Sequence, residues 1–322
     1  MKKTGLLLVL LATAALAQQA ATDSGVPAGT VPTSRSLPIE RIQTPTNADM
    51  YCAGFISKQL EPNVNYIAGG LQSPSSTRFA NGDVVYLYGS GYQVGSQYAI
   101  LRETRDPNRY ESFSGQHSAI AAAGQPYAEM GRLRIVDTRS KMAIAQIEFS
   151  CDTVAPGDIA VPFVEKPKVA FHPPSHFDVF VPPTGKTSGR ILMARDFDSV
   201  LGTGMKLYIN VGSNQGVKVG DYFRAVRSYG ADLKDPVDSL SFRASTTEDS
   251  QKHPPVVEPN MLSYTHGEKI RVEDMPRRGV GEVVIIGVTP TTATGMLVYA
   301  LEDVHVGDDV ELDEQSTQAQ LQ

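Results

Sequence analysis

The sequence predicts an all-β protein with two related small modules, barrel-like or sandwich in form, produced by internal duplication and joined by a Pro-rich linker. Three observations predict this. Short runs of β-branched and aromatic residues end at Gly or Pro. Two stretches of the chain repeat each other in register. A cluster of prolines divides the body into similar lengths, and no helical apolar period is sustained.

From the N-terminus, Met1-Lys2-Lys3 precedes an apolar run that ends in the small-residue site Ala15-Leu16-Ala17. That is the pattern of a secretory signal peptide over residues 1–17, with the mature chain starting near Gln18. The apolar stretch from Thr4 to Ala17 holds 14 residues, whereas a membrane-spanning helix needs about 20. No later segment reads as a transmembrane span, so the chain is expected to be periplasmic or secreted. Residues 18–49 are rich in Ala, Thr, Ser and Pro and read as a flexible tether, because they cannot bury enough apolar surface to offset backbone ordering.

Module 1 is expected over residues 50–163 and the linker over 164–186, where Pro167, Pro173, Pro174, Pro182 and Pro183 favour extended backbone. Module 2 is expected over 187–313, followed by a tail over 314–322. Residues 131–158 align without gaps on 281–308. Gly131, Ile135, Ala143, Val154, Gly157 and Asp158 fall on Gly281, Ile285, Ala293, Val304, Gly307 and Asp308. An earlier block pairs Gly91, Val94, Gly95 and Tyr98 with Gly216, Val219, Gly220 and Phe223. The offset grows from 125 to 150 positions, so module 2 carries extra residues in the polar stretch 228–279. A loop of that length is functional or disordered, and it is the expected contact region for a partner. Strands are expected at Val84–Tyr88, Lys206–Asn210, Gly281–Val288 and Thr294–Tyr299, with a brief helix near Ser118–Gly124. Module 2 is expected to fold by itself.

Gly95, the pair Gly157-Asp158, the pair Gly220-Asp221 and the pair Gly307-Asp308 are the distinctive local signals. Glycine supplies a positive φ and aspartate holds nearby backbone amides, so each reads as a structural turn entering a strand. An anion-binding nest is the competing reading, but a phosphate loop should open a helix. Cys52 and Cys151 are the two cysteines. In an oxidising compartment they read as a disulfide, with two separately buried thiols as the alternative.

The run Leu207-Tyr-Ile-Asn-Val-Gly-Ser-Asn-Gln-Gly-Val-Lys-Val-Gly-Asp-Tyr-Phe223 resembles the C-terminal domain of flagellar assembly protein T and similar modules of LysM-containing envelope proteins. The stretch from Gly281 to Asp309 resembles their closing strands. The resemblance covers mainly residues 187–313. It implies a small β-barrel-like module acting through protein contacts in the envelope, with no catalytic residue to carry over. No LysM repeat accompanies it.

The candidate chemical motifs each have a structural reading. Gly185-Lys186-Thr187 lacks the upstream glycine of a P-loop, since position 180 is Phe180. His172 and His176 sit among prolines without a partner cluster. His305 stands beside Asp303 and Asp308 and reads as a charged surface histidine. No nucleophile elbow or zinc-protease helix occurs. The chain is therefore expected not to be an enzyme and to take no cofactor or metal. The net charge of −6 gives no case for nucleic acid. The expected role is an exported assembly or interaction factor of the cell envelope with protein partners, and the alternative is a glycan- or ligand-binding protein.

Overall fold

The structure, a computed structural model, describes residues 43–71, 76–139, 141–169, 179–180, 182–228 and 277–313. The expected signal peptide and tail, most of the tether, part of the linker, His172 and His176, and nearly all of the insertion lie outside these residues.

Module 1 contains helix α1 (Asn47–Tyr51), strands β1 (Phe55–Ser57), β2 (Tyr66–Gly70), β3 (Val84–Tyr88) and β4 (Gln97–Glu103), helix α2 (Gln116–Ala123), and strands β5 (Gln125–Asp137), β6 (Ala143–Ser150) and β7 (Ile159–Pro162). Strands β2 to β7 close into an antiparallel barrel in the order β2-β3-β6-β5-β4-β7, and β1 adds to the start of β5. Module 2 contains β8 (Ser188–Ala194), β9 (Val200–Leu201), β10 (Lys206–Ile209), β11 (Tyr222–Arg227), β12 (Arg278–Val288), β13 (Ala293–Ala300), β14 (Val304–His305) and β15 (Asp309–Leu312). Its barrel runs β8-β10-β13-β12-β11-β15, while β9 and β14 form a separate two-stranded pair. Replacing each strand of one barrel by its counterpart reproduces the other order. The chain is thus all-β with two barrel modules.

The duplication extends to the irregularities. In the β5–β6 ladder, register shifts fall after Arg132 and after Ile135; in β12–β13 they fall after Glu282 and after Ile285. These are the same positions at the offset seen in the sequence. A further shift follows Ile100 in β4 and Ala225 in β11. Bulges bend strands and sharpen their twist, which small barrels need for closure.

Period-two alternation places the core. Val85 and Leu87 of β3 point inward with Ile67, Ile100, Leu133, Ile135 and Ile147, leaving Val84, Tyr86 and Tyr88 on the outer face. In barrel 2, Leu207, Ile209, Phe223, Val283, Ile285 and Leu297 fill the equivalent space. This second cluster is completed by Ile56, Phe113, Ile120 and Ala123 from module 1. Module 2 closes its own barrel, but its apolar surface is covered by its neighbour.

The ordered body begins earlier than composition suggests. Residues 43–49 fall in the expected tether, yet Gln43 N–H donates to the Val298 carbonyl at 3.0 Å. The Thr46 hydroxyl accepts from Asp49 N–H, and the Asp49 carboxylate accepts from Thr46 N–H, a reciprocal cap that starts α1. Met50 is then buried and Asp49 pairs with Lys206 at 2.5 Å. Four residues of cap and one buried side chain outweigh the polar composition.

Candidate functional site

The Gly-Asp motifs occupy turns. Gly95, Gly157, Gly220 and Gly307 have φ of +88, +93, +94 and +103. The Asp158 carboxylate accepts from Ala155 N–H at 2.7 Å, Asp221 from Lys218 N–H at 2.8 Å, and Asp308 from His305 N–H at 2.8 Å. Each turn leads into a strand. Asp158 and Asp308 do more than cap. Arg102 donates through Nε and Nη2 to Asp158 at 2.7 and 2.8 Å, and through Nη2 to the Thr153 carbonyl. Arg227 donates in the same way to Asp308 at 3.1 and 2.9 Å and to the Asp303 carbonyl. Such a bidentate pin fixes the strand β4 or β11 to the closing turn. The sequence held the signal: continuing the earlier repeat block four residues past Tyr98 and Phe223 pairs Arg102 with Arg227. His305 is buried, not a surface residue as read from sequence, because Val304 and Val306 on either side belong to the core.

Cys52 and Cys151 form the disulfide, with a Cα–Cα distance of 5.5 Å across a separation of 99 residues. It ties the end of α1 to the turn after β6.

Two arms of module 1 hold barrel 2. The first is the segment 53–57, which lies on the outer face of β10 and β13. Tyr208 OH donates to the Ala53 carbonyl at 2.9 Å, Thr294 Oγ1 to the Gly54 carbonyl at 2.9 Å, and Thr292 Oγ1 to the Ile56 carbonyl at 2.7 Å. From the other side the Glu129 carboxylate accepts from Gly54 N–H at 3.0 Å and from Lys166 Nζ at 2.5 Å. Gly54 has φ +71, and a β-carbon there would stand 2.5 Å from the Tyr127 carbonyl and 2.6 Å from the Tyr208 hydroxyl. Only glycine fits between the barrels at this point. The second arm is the insertion 104–124 between β4 and β5. Its α2 buries Ile120 and Ala123 against barrel 2, Gln116 Nε2 donates to the Leu192 carbonyl at 3.0 Å, and Asn108 Nδ2 donates to the Phe197 carbonyl at 2.9 Å.

The repeat places a counterpart of the first arm on module 2. Gly279 N–H donates to the Val179 carbonyl at 2.7 Å, so residues 179–180 lie beside the start of β12 as 53–57 lies beside β5. Phe180 is 66 % exposed. In chain order the insertion between β11 and β12 corresponds to 104–124 between β4 and β5. Its expected role as a partner-contact region concerns residues outside those described.

The outer face of barrel 1 that corresponds to the β10–β13 face is aromatic. Tyr86 stands in the ladder place of Tyr208, Ile144 in that of Thr294, and Tyr88 in that of Asn210. Tyr66 stacks on Tyr88 with ring centres 5.2 Å apart, and Tyr92 OH donates to the Tyr88 carbonyl. Tyr88 is 51 % exposed, and Val64, Val94 and Val136 are exposed in the same module.

A groove of about 450 Å³ runs outside barrel 1 between α1 and residues 163–168. Glu129, Lys166, Arg132 and Glu148 line it, and the Arg132 guanidinium lies over the Phe163 ring at 4.9 Å. These charges are mutually neutralised and select no ligand charge. At the same ladder place barrel 2 has Glu282, beside Arg224 and Asp313. Burial, with the Asp313 carboxylate nearby, pushes Glu282 up to about 7 against the pull of Arg224. The sequence reading passed over Glu282, since nothing in a strand of this composition marks a buried carboxylate.

No protein-family model matches the chain, and no curated protein matches it either. Among the described residues no helix is long and apolar enough to cross a membrane.

Proposed function

We propose that this chain is an exported, non-enzymatic assembly or interaction factor of the cell envelope that acts through protein contacts. The observation that carries the reading is the pair of arms by which module 1 holds a folded barrel. In module 1 the arms 53–57 and 104–124 grasp a barrel. On module 2, residues 179–180 lie beside the start of β12 as 53–57 lies beside β5. An arm whose twin binds a folded barrel is suited to bind another folded protein. The Cys52–Cys151 bond supports export, because structural disulfides persist in oxidising compartments. The signal-peptide pattern and the resemblance to the flagellar assembly and LysM-associated modules point the same way.

The test is capture of the tagged full chain from its native envelope under mild cross-linking. A stoichiometric protein partner that is lost on Phe180→Glu supports the reading. Enrichment of glycan with no protein supports the second reading, which the Tyr66–Tyr88 stack, with Tyr88 exposed, favours as a sugar platform.

A further inference from the structure

We infer that the last rung of barrel 2, where Asp313 closes beside Glu282, is a pH-sensitive seam that is shut in acid and frays towards neutral pH. The device is independent of the partner proposed above. It emerges when one place in the barrel is compared between the two copies. In barrel 1, Phe163 N–H donates to the Gln97 carbonyl at 3.0 Å, and Ala99 stands opposite Arg132 in the β4–β5 ladder. The Arg132 guanidinium lies over the Phe163 ring at 4.9 Å. In barrel 2, Asp313 N–H donates to the Tyr222 carbonyl at 2.9 Å, and Arg224 stands opposite Glu282 in the β11–β12 ladder. The repeat thus puts Asp313 in the place of Phe163, Glu282 in that of Arg132 and Arg224 in that of Ala99. A guanidinium on a phenyl ring has nothing to titrate near neutrality. Two carboxyls beside one arginine do.

The hydrogen bonds are shared unequally between those carboxyls. Arg224 Nη2 donates to Asp313 Oδ2 at 3.1 Å. Glu282 is 5 % exposed, and its Oε2 meets no hydrogen-bond donor among the described residues. A buried carboxylate in that position is costly, and a proton removes both the unsatisfied charge and the repulsion from Asp313. The other neighbours give no relief. Glu311, opposite Arg224 in the β11–β15 ladder, accepts from Arg277 at 2.6 and 2.8 Å and from Thr184 N–H at 3.3 Å. Arg278, further along β12, pairs with Glu302 at 3.1 Å. From β13 the residue opposite Glu282 is Tyr299, not a cation. Burial and the Asp313 carboxylate accordingly push Glu282 up to about 7 against the pull of Arg224. The closed seam therefore holds a proton that the frayed seam, with Glu282 in water, gives up. Fraying is suppressed in acid, grows as pH rises from the ordinary value towards the raised one, and levels off beyond it.

Amide hydrogen exchange of the full chain, followed residue by residue by nuclear magnetic resonance, tests the seam, because terminal rungs exchange through local opening. Each rate is divided by the intrinsic rate of its amide at that pH. The opening constant of the Asp313 amide should rise about tenfold per pH unit between 4.5 and about 7, the signature of one released proton. The Phe163 amide, its counterpart in barrel 1, should show no such rise. Asp308, the other raised carboxyl near β15, lies before the opposite end of the strand and stays closed when only the last rung frays. Glu282→Gln should abolish the rise at Asp313 and leave Phe163 as it was. Equal slopes at the two amides of the wild type, or a slope at Asp313 that survives in folded Glu282→Gln, overturns the inference. The wild-type comparison decides the matter even where the variant does not fold.

Discussion

Replacing Arg227 by Met should destabilise the protein far more than the same change at Arg102, although the two arginines make the same contacts. The side chains of Arg227 and Asp308 are 5 % and 0 % exposed, whereas Arg102 is 36 % exposed beside an equally buried Asp158. Removing one partner of a buried ion pair leaves an uncompensated charge and costs about 3–5 kcal/mol. Water reaches the Arg102 site, so the loss there should be about 1 kcal/mol. The pH dependence follows from Asp308. Burial raises its carboxyl above the usual range even though Arg227 pulls it down. A raised carboxyl holds a proton in the folded state at pH values where the unfolded chain has lost it, so its contribution to stability falls as pH rises. Without Arg227 the shift grows, and the deficit of Arg227→Met should widen from acid to neutral pH. Urea unfolding followed by far-ultraviolet circular dichroism and tyrosine fluorescence suits a chain without Trp. A deficit no larger than that of Arg102→Met, or one independent of pH, would refute the reasoning.

Reducing the Cys52–Cys151 bond should lower the thermal midpoint by several degrees. A loop of 99 residues corresponds to about 4.7 kcal/mol in the chain-entropy model, and melts with and without reductant measure it. Glu282→Gln should flatten the pH profile. The wild-type carboxyl, pushed up to about 7 from 4.5, contributes stability that is present in acid and lost as pH rises through that window. The Gln variant should lack this slope in denaturant titrations between the two values, 4.5 and about 7. Gly54→Ala should loosen the two barrels, because its methyl meets backbone of barrel 1 and the Tyr208 hydroxyl of barrel 2. Gly91→Ala has a similar φ, +83, and no atom within 4 Å, so it isolates the conformational cost of about 1 kcal/mol. Equal midpoints for the two variants would show that the close approach is not limiting.

The repeat was legible because barrel closure imposes position-specific demands. Gly131 and Gly281 both accept a neighbouring strand's carbonyl so closely that a β-carbon would stand 2.2 and 2.7 Å from it. The turn aspartates must reach amides three residues back. Such local requirements survive duplication and can be read at a fixed offset. The arms were not legible. Ile56 and Phe113 matter through what they touch on the other barrel, and no periodicity records a contact between modules. Nothing in the sequence marks Gly54 apart from the other glycines. The packed N-terminal residues 43–49 were hidden for the same reason, since their partners Val298 and Lys206 are distant in sequence. Tyr86 and Tyr208 share a ladder position and a hydroxyl, but only the structure shows that one is covered by a chain segment.

A photoreactive residue at position 180 of the full chain, cross-linked in the native envelope and mapped by mass spectrometry, tests the central claim that module 2 presents an arm to a protein. Phe180 is 66 % exposed and follows Val179, whose carbonyl accepts from Gly279 N–H, so the probe should sit at the contact. The predicted result is an adduct to a peptide from a separate protein molecule, which is lost when unlabelled wild-type chain competes. Recovery of adducts only within the same chain, or only to glycan, would contradict it.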